Sequence, residues 1–239
     1  MDTLERYWNS GFYEVQGWVN ANLLDCLTLI SDVQSRLATT GNVAEIGVYH
    51  GKFLLALSHM LSGQNTKALC IDVFDDQSKN LDGAGEGNLV VLKDNIERYG
   101  RCDVTYEFIK ADSIALTAAD KLKIMAQHGP FKLFSVDGCH TVEHTYNDLL
   151  TAQELICSGG VIILDDYMQP HWPGVTEAVH IFQRSAPRVR PFLYSSHKMF
   201  FAGIGSHSDY LNACCDREWR GRGVRVVPMF GVQVLVAYP

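Results

Sequence analysis

The stretch "VDGCHTVEHTYNDLL", residues 136–150, holds His140, Glu143 and His144 in the H-x-x-E-H spacing of an inverted zinc-hydrolase motif. In that chemistry the two histidines ligate zinc, the glutamate serves as base, and Glu218 is the candidate third ligand further along the chain. Asp137 and His140 also support a second chemistry. They follow the apolar run "FKLFSV", where a buried strand gives way to a helix. A carboxylate and an imidazole at such a junction suit a hard cation or a proton transfer.

The same junction recurs along the chain. Glu45 closes one apolar run and leads into the loop Gly47-Val48-Tyr49-His50-Gly51; Asp72 closes the next, Asp112 and Ser113 the third, Asp165 and Asp166 the fifth. Helix capping explains any one of them. Five in succession point to a single lined rim. Gly47 and Gly51 let the backbone turn sharply and approach a ligand, but the loop is neither G-x-G-x-x-G nor a phosphate loop. An acid at the position of Asp72 can accept both hydroxyls of a ribose, and Asp112 with Ser113 can face an adenine edge. Asp137, Asp165 and Asp166 converge at neighbouring strand ends. Two like charges 4 Å apart repel by about 4 kcal/mol at an effective dielectric of 20, so such a triad calls for a cation. Its oxygen donors favour Mg²⁺, Mn²⁺ or Ca²⁺ over zinc.

The elements that must carry these residues follow from hydrophobic periodicity. Residues 1–40 read as helical, with Leu23, Leu27 and Ile30 on one face. The runs "VAEIGVY", "KALCIDVF", "VTYEFIKAD", "KLFSVDG" and, after the turn "CSGG", "VIILDDY" then alternate with amphipathic stretches. This order predicts an α/β protein with a doubly wound, mostly parallel sheet covered on both faces. The runs "KMFFAGIG" and "VQVLVAY" break the alternation and predict an antiparallel C-terminal edge. In such sheets ligands gather at the carboxyl ends of the strands, where the rim lies. The expected organisation is a helical segment, 1–40, acting as a lid or a contact between copies, and a site-bearing domain, 41–239.

Bulk properties narrow the classes. With 47% apolar and 20% charged residues the chain has the composition of a soluble globular protein, and its net charge of −7 disfavours a nucleic-acid partner. It shows neither a leader pattern nor an apolar run of membrane-spanning length, so no membrane partner is expected. Seven cysteines without C-x-x-C fit a reduced, cytoplasmic protein.

Six stretches, "EIGVYHGKFLLAL", "CIDVF", "IKADS", "VDGCHTVEHTYNDL", "SGGVIILDDY" and "PGVTEAVHIF", together resemble the class I S-adenosylmethionine-dependent methyltransferases, in the branch of macrocin-type sugar O-methyltransferases and cephalosporin-hydroxylase-like proteins. They cover residues 43–182 in order. The resemblance implies a Rossmann-like methyltransferase fold. Glu45, Gly47, Val48, Tyr49 and Gly51 would surround the methionine part of S-adenosylmethionine, Asp72 its ribose, and Asp112 with Ser113 its adenine. It implies metal ligation by Asp137, Asp165 and Asp166, as the carboxylate convergence does. Val142 departs from the aromatic residue the family often carries there. The expected activity is O-methylation of a small hydroxylated molecule, such as a sugar, with His140 as general base and its pKa lowered by the nearby cation. A metal-independent O- or N-methyltransferase is the alternative, and the zinc hydrolase the remote one. The acceptor pocket could draw on residues 75–88 and on Trp8, Tyr13, Trp18, His171 and Trp172. A homo-oligomer is compatible with all of this.

Overall fold

The structure, a computed structural model, describes residues 3–219 and 221–238. Three helices come first: α1 (Thr3–Trp8), α2 (Gly11–Glu14) and α3 (Leu23–Arg36). Strand–helix units follow: β1 (Asn42–Ile46) with α4 (Lys52–His59), β2 (Thr66–Asp72) with α5 (Leu89–Tyr99), and β3 (Val104–Lys110) with α6 (Ala118–His128). Next are β4 (Phe131–Val136) with α7 (Val142–Leu155), and β5 (Ile156–Leu164) with α8 (Pro173–Arg184). The chain ends with β6 (Val189–Ser195), β7 (Lys198–Gly203), α9 (His207–Asp216), β8 (Val224–Met229) and β9 (Val232–Ala237).

All strands join one sheet in the order β3-β2-β1-β4-β5-β7-β6-β9-β8. β1 to β5 run parallel, and β7 inserts antiparallel between β5 and β6. β4 is buried at every position, as a central parallel strand covered on both faces must be. One apolar cluster packs Val43, Leu133, Ile163 and Phe200 against α1, α3, α4 and α9; the other packs Ile46, Phe134, Leu164 and Phe201 against α6, α7 and α8. The sheet order reverses between β1 and β4, which opens the crevice where ligands bind in such folds.

Several expectations changed. Residues 1–40, read as helical, form three helices, and Leu4, Trp8, Leu27 and Ile30 bury into the main core. "CSGG" is not a turn: β5 starts at Ile156 and takes Gly159 in a left-handed conformation (φ +76°). β6 is a strand despite Pro191, because its register shifts between Pro191 and Leu193. The C-terminal edge is two antiparallel hairpins with α9 between them, rather than one pair.

Candidate active site

Backbone hydrogen bonds continue past the strand ends and stitch the rim together. The Gly47 N–H donates to Ile71 O (2.9 Å), Asp137 N–H to Ile46 O (2.8 Å), and Asp165 N–H to Val136 O (3.0 Å). Gly47 has φ +80°, and a Cβ there would lie 1.8 Å from Asp137 O, so no other residue fits. Above this rim opens a cavity of about 560 Å³.

One half is lined by Gly47, Tyr49, Asp72, Asp112 and Ser113. Asp72 Oδ2 accepts the backbone N–H groups of Val48 (2.6 Å) and Tyr49 (3.0 Å), and its Oδ1 accepts Phe74 N–H (2.6 Å). The carboxylate therefore folds the glycine loop around itself. Tyr49 holds a left-handed backbone (φ +50°) with its ring stacked on His50 and 5.0 Å from Trp18. Asp112 caps the turn at Ser113 and lies 3.3 Å from His144 Nε2. His144 Nδ1 in turn meets the Thr141 hydroxyl at 2.7 Å. Val48, Gly51 and Glu45 stand behind the cavity wall rather than on it. Glu45 is buried with Oε1 accepting from Ser135 Oγ (2.9 Å) and Oε2 without a partner; burial pushes its carboxyl up to about 8.

The other half is built on Asp137, His140, Asp165 and Asp166. Among the described residues, the group of three able to ligate a metal is Asp137, His140 and Asp166, with ligand atoms within 4.8 Å of one another. Burial, and then the Asp165 charge, raise Asp137 well above the usual carboxylate range. Asp166 takes a left-handed backbone (φ +57°), a strained conformation of the kind that gathers at functional sites. Asp165, the expected third ligand, has both oxygens engaged: Oδ1 accepts Asp166 N–H (2.9 Å) and Oδ2 accepts from the ammonium of Lys198. Lys198 is fully buried; burial favours its neutral form, but Asp165 and Asp137 outweigh that and hold its pKa above an ordinary lysine's.

His140 sits just before α7, with its ring stacked on Trp172 at 4.2 Å. Nδ1 meets Asp82 Oδ2 at 2.7 Å and Nε2 meets Asp166 Oδ2 at 2.9 Å. Burial alone would lower its pKa; the bonds to Asp166 and Asp82 prevail and raise it. The zinc motif dissolves here: His144 turns to Thr141 and Asp112, and neither it nor Glu143 joins the metal-capable group. Trp18 and Trp172 line the cavity, whereas Trp8 is core. Sequence reasoning missed Lys198 and Asp82. Lys198 stands at the head of the apolar run "KMFFA", directly after the polar turn Ser196-His197, and Asp82 lies in a polar loop, so neither carries a local mark of its partner.

A methyltransferase-domain family matches residues 44–167, more than half of the chain. The fold is similar to that of the O-methyltransferase NovP (TM-score 0.63, 16% identity, covering 83% of this chain and 88% of that one). It is also similar to CalS11, a TDP-rhamnose 3′-O-methyltransferase of calicheamicin biosynthesis (0.54, 16%, 84% and 92%). A third is MycE of mycinamycin biosynthesis, in complex with Mg and SAH (0.53, 16%, 85% and 55%). A sequence search of curated proteins finds no match. With its strand order, its glycine loop beside Asp72 and its family match, the chain belongs to the methyltransferase-domain family, as a class I S-adenosylmethionine-dependent methyltransferase.

Proposed function

We propose that the protein methylates a hydroxyl oxygen of a small polyhydroxylated molecule, with His140 as general base and a hard divalent ion at Asp137 and Asp166. The observation that carries this reading is the meeting of His140 Nε2, Asp137 and Asp166 in the same cavity as Asp72 and Asp112. S-adenosylmethionine supplies an electrophilic methyl group on a sulfonium. Beside its three amides Asp72 keeps one accepting position, on Oδ1, for a ribose hydroxyl. Gly47 lets the main chain at Asp137 and Gly138 close against the end of β1, which draws the metal half of the cavity up to the Asp72 half. Asp112, which caps the turn at Ser113, and Ser113 serve the adenine edge.

The carboxylates of Asp137 and Asp166 are hard oxygen donors that fit Mg²⁺ or Mn²⁺, which would orient an acceptor hydroxyl and lower its pKa, leaving His140 Nε2 free for the proton. His140 takes the hydroxyl proton at Nε2 while Asp82 holds Nδ1, a role worth ~10²–10⁴ in rate. Trp172 and Trp18 offer apolar ring faces to the acceptor, with Gln169 and Asn80 as polar contacts. The alternative, transfer without a metal, gains support from Lys198, a buried cation already beside Asp165 and Asp137.

The test begins with calorimetric titration of S-adenosylhomocysteine. Radiolabelled methyl transfer is then screened over sugars and catechols, in EDTA and after Mg²⁺ add-back. Transfer restored by Mg²⁺ supports the metal; full transfer in chelator removes it and leaves His140 as base; no binding of the nucleoside sinks the whole reading.

A further inference from the structure

Between β2 and α5 the chain runs from residue 73 to 88 with one 3-10 turn, Gln77–Lys79, as its regular structure. Connections of this length in a compact domain are usually functional. Gln77, Asn80, Ala84 and Gly85 from this segment line the cavity. Asn80 Nδ2 donates to Gln77 Oε1 and to Gly85 O, each at 2.8 Å, so the segment is folded on itself. Asp82 carries it to the loop after β4. Its Oδ1 accepts Ala84 N–H (2.9 Å), while its Oδ2 accepts both the backbone N–H and the Nδ1–H of His140, each at 2.7 Å.

The His140 ring is thus held in two different ways. Trp172 stacks on it within 14° of parallel and fixes its plane. Stacking alone leaves the ring free to flip about Cβ–Cγ, which exchanges Nδ1 with Cδ2 and Nε2 with Cε1. The carboxylate of Asp82 removes that freedom, because only one orientation presents an N–H to it. Nε2 is then the nitrogen directed at Asp166, toward the proposed acceptor position. One carboxylate oxygen serves the catalytic loop and the other serves the segment's own turn.

We propose that Asp82 is a positioning residue for His140: it selects the ring orientation that frees Nε2 for the acceptor, and it makes that orientation conditional on segment 73–88 lying over the cavity. The proposal rests on the reading of His140 as base, and it adds that the base is aligned only when the covering segment is seated. Acceptor entry that lifts the segment releases the ring; reseating it restores both.

The test uses the full chain with ¹⁵N-labelled histidine rings, saturated with S-adenosylhomocysteine, at about pH 9, where an imidazole is neutral. A His140→Gln variant identifies the signals. The wild type is expected to show the Nδ1–H tautomer at His140, and Asp82→Ala to shift it toward Nε2–H. Amide exchange over 73–88 should rise about tenfold in the same variant. An unchanged tautomer in Asp82→Ala overturns the proposal, whatever the segment does; a changed tautomer with unchanged exchange overturns the coupling. Should Asp82→Ala fail to fold, Asp82→Leu, which fills similar space and offers no acceptor, is read by the same two criteria. Neither readout involves turnover, so normal turnover in His140→Ala would remove the base assignment while leaving ring alignment to be judged by itself.

Discussion

Lys198 donates its ammonium to Asp165 Oδ2 beneath the cavity floor, where Phe53 covers it at 4.4 Å and solvent reaches 1% of it. Removing one member of a buried pair strands the other, at a cost of about 3–5 kcal/mol. Lys198→Met is expected to lose that much in urea unfolding, and Lys198→Met with Asp165→Leu to recover most of it. A fully stable single variant would mean that the pair is solvated.

Glu45 gives the stability of the protein a pH dependence. Its folded pKa of about 8 lies above the ordinary carboxylate value, so the native state binds a proton that the unfolded chain releases. Its favourable contribution is complete below about pH 4.5 and is lost as pH rises to about 8. Glu45→Gln, similar in shape and uncharged, should flatten that decline. Unfolding midpoints measured across this range check it, and parallel curves for the two proteins would refute it.

For His140 the sign for activity is the reverse. The raised pKa keeps the ring charged at a pH where a free imidazole has begun to lose its proton, and a charged ring cannot accept one. In chelator, turnover should therefore rise with pH through an apparent pKa above about 6.5, and a bound cation would lower that value. His140→Ala should lower kcat by ~10²–10⁴ with S-adenosylhomocysteine affinity within a few-fold. A pH-independent wild-type rate from 6 to 9 (roughly the range of an imidazole) argues against it.

Nucleoside and metal contacts should fail separately, because Asp72 and Asp137 belong to different strand ends. Asp72→Ala also releases three backbone amides and should weaken S-adenosylhomocysteine by about tenfold or more while sparing Mn²⁺. Asp137→Asn and Asp166→Asn should weaken Mn²⁺ and spare the nucleoside. Asp165→Asn should affect Mn²⁺ least, since Lys198 already engages it. Calorimetry for the nucleoside and electron paramagnetic resonance for Mn²⁺ give both readings, and equal losses in every variant would contradict the division.

The sequence made the alternating core legible because each parallel strand is a short apolar run with a carboxylate at its end. Asp72, Asp112, Asp137 and Asp166 reach the cavity for that reason. What periodicity could not convey was side-chain direction one residue at a time. Asp165 and Asp166 are adjacent in sequence, yet one meets Lys198 and the other His140. Long-range partners were equally hidden: Asp82 and His140 are brought together by a loop whose path no local pattern dictates. The C-terminal hairpins were obscured by Pro191 in β6 and by the largely exposed face of β8.

Gly47 and the carbonyl of Asp137 meet through main-chain atoms, and this separates two properties that enzymes often have to change together. The distance from donor to acceptor is the sensitive coordinate in an in-line displacement. Here peptide units help set it, and side-chain exchange leaves those in place. Trp18 and Gln169 face the cavity from other segments, so under the proposed function they can be replaced to admit a differently shaped acceptor without resetting that distance, whereas Trp172, stacked on His140, cannot. On the proposed function, the acceptor's shape is then read by parts of the chain other than those that set the transfer distance.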